Sequence, residues 1–283
     1  MCKSLQINKP LVSVNWLYQH LDATNLVVLN GTLPKVALKE NQSILVDNQI
    51  PNTRFFDIKK EFSIQGAQFP NTALKPVDFQ EKARKLGINK DSCIVVYDEY
   101  GIYSSARVWW IFKTMGFDNV AVLDGGFPLW KTHEFPVEKK QTHFYSKGNF
   151  TANYNQELLI NAANVLAAVS DSKKQILDAR SSDRFFSLVS EPRAELRSGH
   201  IPNSKNLPYT SLLNGTILKS TKDIEKLFTA LKVEKKQLIF SCGSGVTACV
   251  LALGATLLGC NNVAVYDGSW TEWGSLQYLP IEK

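Results

Sequence analysis

The segment Ser241-Cys-Gly-Ser-Gly-Val-Thr247 carries the residue types best suited to chemistry. It sets a thiol directly after the apolar run Leu238-Ile-Phe240 and ahead of Val246-Thr-Ala-Cys-Val-Leu-Ala-Leu253, which reads as a helix. In open α/β folds such strand-to-helix loops lie at the carboxyl ends of the strands, where ligands bind. The first N–H groups of a helix lack intrahelical acceptors, and the helix dipole is positive there. Gly243 and Gly245 let the backbone curl so that several N–H groups converge. A thiol at the centre of such a loop is favoured as its thiolate, the nucleophilic form. Cys242 is therefore the expected nucleophile. Gly243, Gly245, Val246 and Thr247 are expected to cradle whatever it carries.

The other four cysteines read differently. Cys249 lies two helical turns after Cys242 and shares a face with Val246, Val250 and Leu253, so it reads as core. Cys93 opens an apolar run and Cys260 follows Gly259, and both read as packing residues. Cys2 is expected to be mobile. An odd count with no C-x-x-C pair argues against a disulfide framework and against a zinc site. No metal and no cofactor are expected. A cysteine followed by a tight loop also suits a phosphatase, but that chemistry needs a guanidinium six positions on. The residue there is Ala248.

The elements that position the loop occur twice. Val27-Val-Leu-Asn-Gly-Thr32 parallels Ile176-Leu-Asp-Ala-Arg-Ser181, and Gln49-Ile-Pro-Asn-Thr53 parallels His200-Ile-Pro-Asn-Ser204. Ile94-Val-Val-Tyr-Asp98 parallels Leu238-Ile-Phe-Ser-Cys242, and Leu123-Asp-Gly-Gly parallels Tyr266-Asp-Gly-Ser. Four ordered matches at a near-constant shift imply a duplicated domain of about 140 residues, too long a period for a solenoid. Apolar runs of strand length at Gln175–Ala179, Gln237–Ser241 and Val263–Tyr266 alternate with helical patterns. Between them, Ile224, Leu227, Phe228 and Leu231 mark an amphipathic helix over 221–232. The expected fold is α/β: two tandem domains, each a mostly parallel sheet flanked by helices on both faces. The expected boundaries are 1–135, a polar, Lys-rich linker at 136–152, and 153–283.

The chain has 283 residues, 44% hydrophobic and 20% charged, ordinary for a globular protein. The longest apolar run, Ala248 to Leu258, is far short of the roughly 20 residues a bilayer requires. The first ten residues lack the apolar stretch of a signal peptide, so the cytoplasm is the expected compartment, with no membrane partner. The net charge of +6 comes without a long Lys/Arg run or a nucleic-acid motif. No nucleic-acid partner is expected, and a mild positive field would favour a small anionic substrate.

The Cys-Gly-Ser-Gly-Val-Thr-Ala loop, the Tyr266-Asp-Gly-Ser-Trp-x-Glu-Trp273 segment and Gly199-His-Ile-Pro202 resemble the two-domain rhodanese sulfurtransferases, most of all their 3-mercaptopyruvate branch. The resemblance runs nearly end to end and includes Tyr97-Asp-Glu99 and Ser105-Ala-Arg-Val-Trp-Trp110. It implies that only the C-terminal copy is catalytic, since Asp98 stands at the position matching Cys242. It implies two steps: Cys242 takes sulfur from 3-mercaptopyruvate as a persulfide, with release of pyruvate, and a thiol, thioredoxin or cyanide then removes it. It implies that Arg184 and Arg193, nine residues apart, bind the substrate's carboxylate and keto oxygen. Arginine suits a planar carboxylate because its donors match it two at a time.

The resemblance also implies that Ser244 joins a Ser-His-Asp proton relay whose histidine comes from the copy-one segment matching His200-Ile-Pro. Here that position is Gln49, which accepts no proton near neutral pH. Ser244 is then left as a hydrogen-bond donor. His200 and Arg180 are read as structural, with Asp178 at a strand end, and Asp267 and Trp270 likewise. His20, His133 and His143 have no motif around them. Tyr103, Trp109 and Trp110 are read as packing residues, Tyr103 with a place in the pocket as its alternative. Thiosulfate is the alternative donor. It is a dianion, and Gly243-Ser244 offers it no cation. A non-catalytic binding or redox-sensing module is the third reading. A monomer is expected.

Overall fold

The computed structural model describes residues 4–35, 47–141, 144–233 and 236–283. Cys2 and His143 lie outside them. The chain forms two compact units. The first takes Met1–Ile64, Ala73–Tyr154 and Gly215–Leu218; the second takes Gln65–Thr72, Asn155–Asn214 and Lys219–Lys283.

In the first unit the elements run β1 (Leu11–Val12), α1 (Val14–Gln19), β2 (Leu26–Asn30), β3 (Asn48–Gln49), β4 (Arg54–Phe55), α2 (Pro76–Lys85), β5 (Cys93–Tyr97), α3 (Ser105–Thr114), β6 (Val120–Leu123), α4 (Gly126–Thr132) and β7 (Glu138–Lys139). Its sheet has the order β1-β6-β5-β2-β4, and every pairing is parallel. β5 is apolar throughout and wholly buried, as a central parallel strand covered on both faces must be. On one face α1 and α4 pack Val14, Leu17, Phe127 and Trp130 against Val28, Val95 and Tyr97. Another cluster is aromatic: Phe79 of α2 and Phe112 of α3 meet edge to face at 5.2 Å, and Phe150 lies against both. Phe150 therefore anchors a stretch that the sequence suggests only as a polar connector. Trp109 and Trp110 of α3 are both buried.

The second unit follows the same plan: β8 (Leu159–Ile160), α5 (Ala162–Val169), β9 (Lys174–Asp178), α6 (Ser182–Phe185), β10 (Lys205–Asn206), β11 (Leu213–Asn214), α7 (Thr221–Ala230), β13 (Gln237–Ser241), α8 (Ala248–Leu257), β14 (Val263–Tyr266) and α9 (Ser269–Trp273), with the short β12 (Ile217–Leu218) counted in the first unit. Its sheet order, β10-β9-β13-β14-β8, is the first sheet's order strand for strand, again all parallel. α5 and α9 cover one face through Val165, Ala168, Trp270 and Trp273 against Ile176, Ile239 and Tyr266. α8 packs on β13 and β14 and on α7. The helix expected over 221–232 is α7, with Ser220 accepting the N–H of Asp223 as its N-cap. The duplicated α/β architecture read from the sequence is thus the fold of the chain. No helix among the described residues is long and apolar enough to cross a membrane.

Candidate active site

Cys242 follows β13 directly, where Ser241 stands opposite Asp178 of β9 in the parallel register. The residue is buried, with 1% of its surface exposed. Its N–H donates to Ser269 Oγ at 3.1 Å, and that same oxygen lies 3.9 Å from the sulfur. The start of α9 holds the loop's first two carbonyls. Trp270 N–H donates to Cys242 O at 2.9 Å, and Gly243 O accepts the Thr271 N–H at 2.8 Å and its hydroxyl at 2.5 Å. Gly245 has φ of +73°, where a side chain would be strained, so the curl expected from the glycines is present. The Cys249 thiol donates to Gly245 O at 3.4 Å, so this core cysteine also secures the turn. Thr247 is the N-cap of α8, and Val246 is buried beneath the loop. Ser269 itself has φ of +49°, an unusual conformation for a non-glycine residue.

Both candidate arginines come to this loop. A Cβ built on Gly243 would lie 3.4 Å from Arg184 Nη2 and 3.7 Å from Nη1. Arg193 Nη1 donates to Thr271 Oγ1 at 3.3 Å, and Thr271 in turn holds Gly243 O. Arg184 therefore lies beside Gly243, and Arg193 is linked to its carbonyl through Thr271.

Behind Arg184 lies a buried ionic chain. Glu191 receives Arg184 through Nη2 at 2.5 Å and Nε at 3.3 Å, and receives Arg180 Nη1 at 2.9 Å. Arg180 also meets Asp178 through Nε and Nη2, the latter at 2.7 Å, and donates to Gly199 O at 2.9 Å. Its guanidinium stacks on Trp270, 4.3 Å from the ring centre. Burial alone would lower the pKa of Arg180. The Asp178 and Glu191 carboxylates more than offset burial, and the net shift is upward. His200 is buried, stacked on Phe185 at 3.9 Å, with Nδ1 3.0 Å from Phe185 O. His20 is stacked on Trp16 in the same manner.

Ser244 has a partner that the sequence reading missed. Asn71 Nδ2 lies 3.2 Å from Ser244 Oγ and 3.4 Å from Ser244 O. A carbonyl only accepts, so it is the NH2 end of Asn71 that faces Ser244. Asn71 belongs to the Gln65–Thr72 stretch of the second unit and has φ of +60°, a region asparagine tolerates. Gln49, where the relay was sought, donates instead to Glu138 Oε1 at 2.8 Å within the first unit. The hydroxyl of Ser244 thus meets an amide, which, like Gln49, is no base.

The matching loop of the first unit is closed by its own side chain. Asp98 Oδ2 accepts the N–H groups of Tyr103, Ser104 and Ser105 at 2.8–2.9 Å and the Ser105 hydroxyl at 2.7 Å, and Oδ1 accepts Tyr100 N–H at 2.9 Å. A carboxylate sits where converging N–H groups form an anion cradle.

Glu191, Thr271 and Ser269 also escape a sequence reading. Glu191 stands in Glu191-Pro-Arg193, and an acid two residues before a candidate arginine is its only local signal. Among the described residues no group of three or more His, Cys, Asp or Glu is placed to hold a metal.

The chain is similar to known proteins along most of its length. The model of the Rhodanese-like domain matches residues 13–133 and again 161–276. The chain is 35% identical over 275 residues to the 3-mercaptopyruvate sulfurtransferase of Escherichia coli, covering 96% of this chain and 97% of that protein. It is 34% identical over 303 residues to a mitochondrial thiosulfate/3-mercaptopyruvate sulfurtransferase of Arabidopsis thaliana, covering 99% and 79%. Among solved structures it resembles SseA of Escherichia coli, a 3-mercaptopyruvate sulfotransferase, with a TM-score of 0.83 at 33% identity over 93% of this chain and 99% of that one.

Proposed function

The chain belongs to the rhodanese family, and from that premise we propose that it is a 3-mercaptopyruvate sulfurtransferase working through a persulfide on Cys242. The observation that carries this reading is that Arg184 lies beside Gly243, the residue next to the thiol, and Arg193 is linked to Gly243 O through Thr271.

In the first step the Cys242 thiolate attacks the sulfur of 3-mercaptopyruvate. An S–S bond forms, the C–S bond breaks, and its electron pair stays on carbon as the enolate of pyruvate, which then takes a proton. Arg184 and Arg193 hold the carboxylate and keto oxygen, and both gain as charge moves onto the enolate. The outer sulfur is left as a persulfide in the loop of Gly243, Gly245, Val246 and Thr247. In the second step an acceptor thiolate attacks that outer sulfur and Cys242 leaves as thiolate. Splitting one transfer into two displacements is ordinary covalent catalysis.

Ser244 acts here as a donor. Its oxygen receives Asn71 Nδ2, so its own proton points away from Asn71 and is available to the substrate. The proton that completes pyruvate then comes from the substrate thiol or water. The acceptor is a small thiol, a thioredoxin-type dithiol or cyanide, and the chain acts as a monomer. A reducing compartment such as the cytoplasm suits the unbridged thiols of Cys93, Cys242 and Cys260.

The test is a comparison of donors. Pyruvate release from 3-mercaptopyruvate with a kcat/KM well above that for thiosulfate supports the reading. The reverse order identifies a thiosulfate sulfurtransferase.

A further inference from the structure

We propose that Glu191 is a positioning residue that sets donor preference, by fixing the plane of Arg184 and cancelling its charge against the doubly charged donor. The proposal rests on the mercaptopyruvate reading and adds to it a residue whose own carboxylate touches no substrate.

Glu191 holds Arg184 side-on. Nε and Nη2 both point at the carboxylate, at 3.3 and 2.5 Å. A guanidinium held this way cannot rotate, and its Nη2 and Nη1 edge lies beside the loop, 3.4 and 3.7 Å from where a Cβ on Gly243 would stand. The side chain of Glu191 is itself 1% exposed, while that of Arg184 is 24% exposed. Its position is fixed in turn by Arg180, fully buried and locked to Asp178. Order thus passes from the strand end at Asp178 through Arg180 and Glu191 to Arg184, the one of these two arginines that opens toward solvent.

The charges along this chain of contacts cancel, with two carboxylates against two guanidiniums. Arg184 therefore presents well-oriented donors with little net field. That combination suits a planar monocarboxylate, which gains from geometry. It suits thiosulfate poorly, because a dianion gains from net positive charge, and with Arg184 neutralised the site keeps only the single charge of Arg193, Gly243-Ser244 adding none.

Two variants separate geometry from charge. Glu191→Gln frees Arg184 and leaves its charge uncompensated. For 3-mercaptopyruvate its KM should rise about tenfold, as for one lost charge-assisted contact, with kcat within about twofold. For thiosulfate kcat/KM should rise. Glu191→Asp keeps the charge and the anchor on Arg180 but falls short of Arg184. It should lose mercaptopyruvate affinity and leave thiosulfate unchanged. A purely structural Glu191 would lower the melting temperature and move both donors together, and that result overturns the proposal. If Glu191→Gln does not fold, Glu191→Asp decides alone, and an unchanged donor ratio in it is equally fatal. Failure of the underlying reading is distinct, because the unmodified chain would then show no mercaptopyruvate activity.

Discussion

Asp98 accepts both the N–H and the hydroxyl of Ser105, at 2.9 and 2.7 Å, in the loop where the second unit carries its thiol. The two loops follow matching strands, and in the first unit the N–H groups of Tyr100, Tyr103, Ser104 and Ser105 converge on a negative group. In the first unit the protein supplies that group itself. Asp98→Ala should leave those N–H groups without an acceptor and cost about 2–4 kcal/mol, since buried donors that lose a charged partner are expensive. Urea unfolding measures this, and an unchanged midpoint would refute the internal-anion account of copy one.

The Asn71–Ser244 contact makes a second prediction. If Asn71 works only by orienting the Ser244 hydroxyl, then Asn71→Ala and Ser244→Ala each lower kcat by about 3–10-fold, the worth of one hydrogen bond. The double variant should lose no more than the worse single one. Fully additive losses in this cycle would mean that the two residues act separately.

Arg193 is half-buried, and its Nη1 is linked to the loop by the 3.3 Å contact with Thr271 Oγ1, which holds Gly243 O. Arg193→Ala should therefore raise the KM for 3-mercaptopyruvate by about 10–100-fold while changing stability by roughly 0.5 kcal/mol or less. Steady-state kinetics and thermal melting together check this. An unchanged KM would remove Arg193 from the site.

Burial makes the fold sensitive to alkali. It pushes the Cys93 thiol up to about 12. It also pushes the hydroxyls of Tyr97 and Tyr266 well above the phenol range. These groups ionise in the unfolded chain from roughly pH 8.5 to 10, while the folded chain keeps them protonated. The unfolded state then binds fewer protons, so stability is fully present below pH 8 and falls as pH rises toward 12. The urea midpoint should drop between pH 8 and 10.5, and less steeply in Cys93→Ala. A flat profile would contradict this burial.

The strand-end thiol and the duplicated sheet were legible because each rests on local pattern, whereas Arg184 and Arg193 were singled out only through the family resemblance. Apolar runs mark β13 and β14, a 3.6-residue spacing marks α7, and Gly243 and Gly245 mark the turn between β13 and α8. Asn71 was not legible. It lies 173 residues from Ser244, in a stretch that joins the second unit although it falls inside the first copy. Gln49 drew attention through the repeat of its Ile-Pro neighbours, but its amide is held by Glu138. Glu191 shows in the sequence only as an acid two residues before Arg193. Its contact with Arg180 spans 11 residues, across α6, and follows no local spacing rule.

The central claim is that sulfur passes through Cys242, and a single turnover without acceptor tests it most directly. The chain is mixed with 3-mercaptopyruvate, its intact mass is measured, and the modified peptide is mapped. One added sulfur on the peptide containing Cys242, matched by one pyruvate released and absent in Cys242→Ser, is the expected result. Pyruvate release at full rate by Cys242→Ser, or added sulfur on another cysteine, would contradict it.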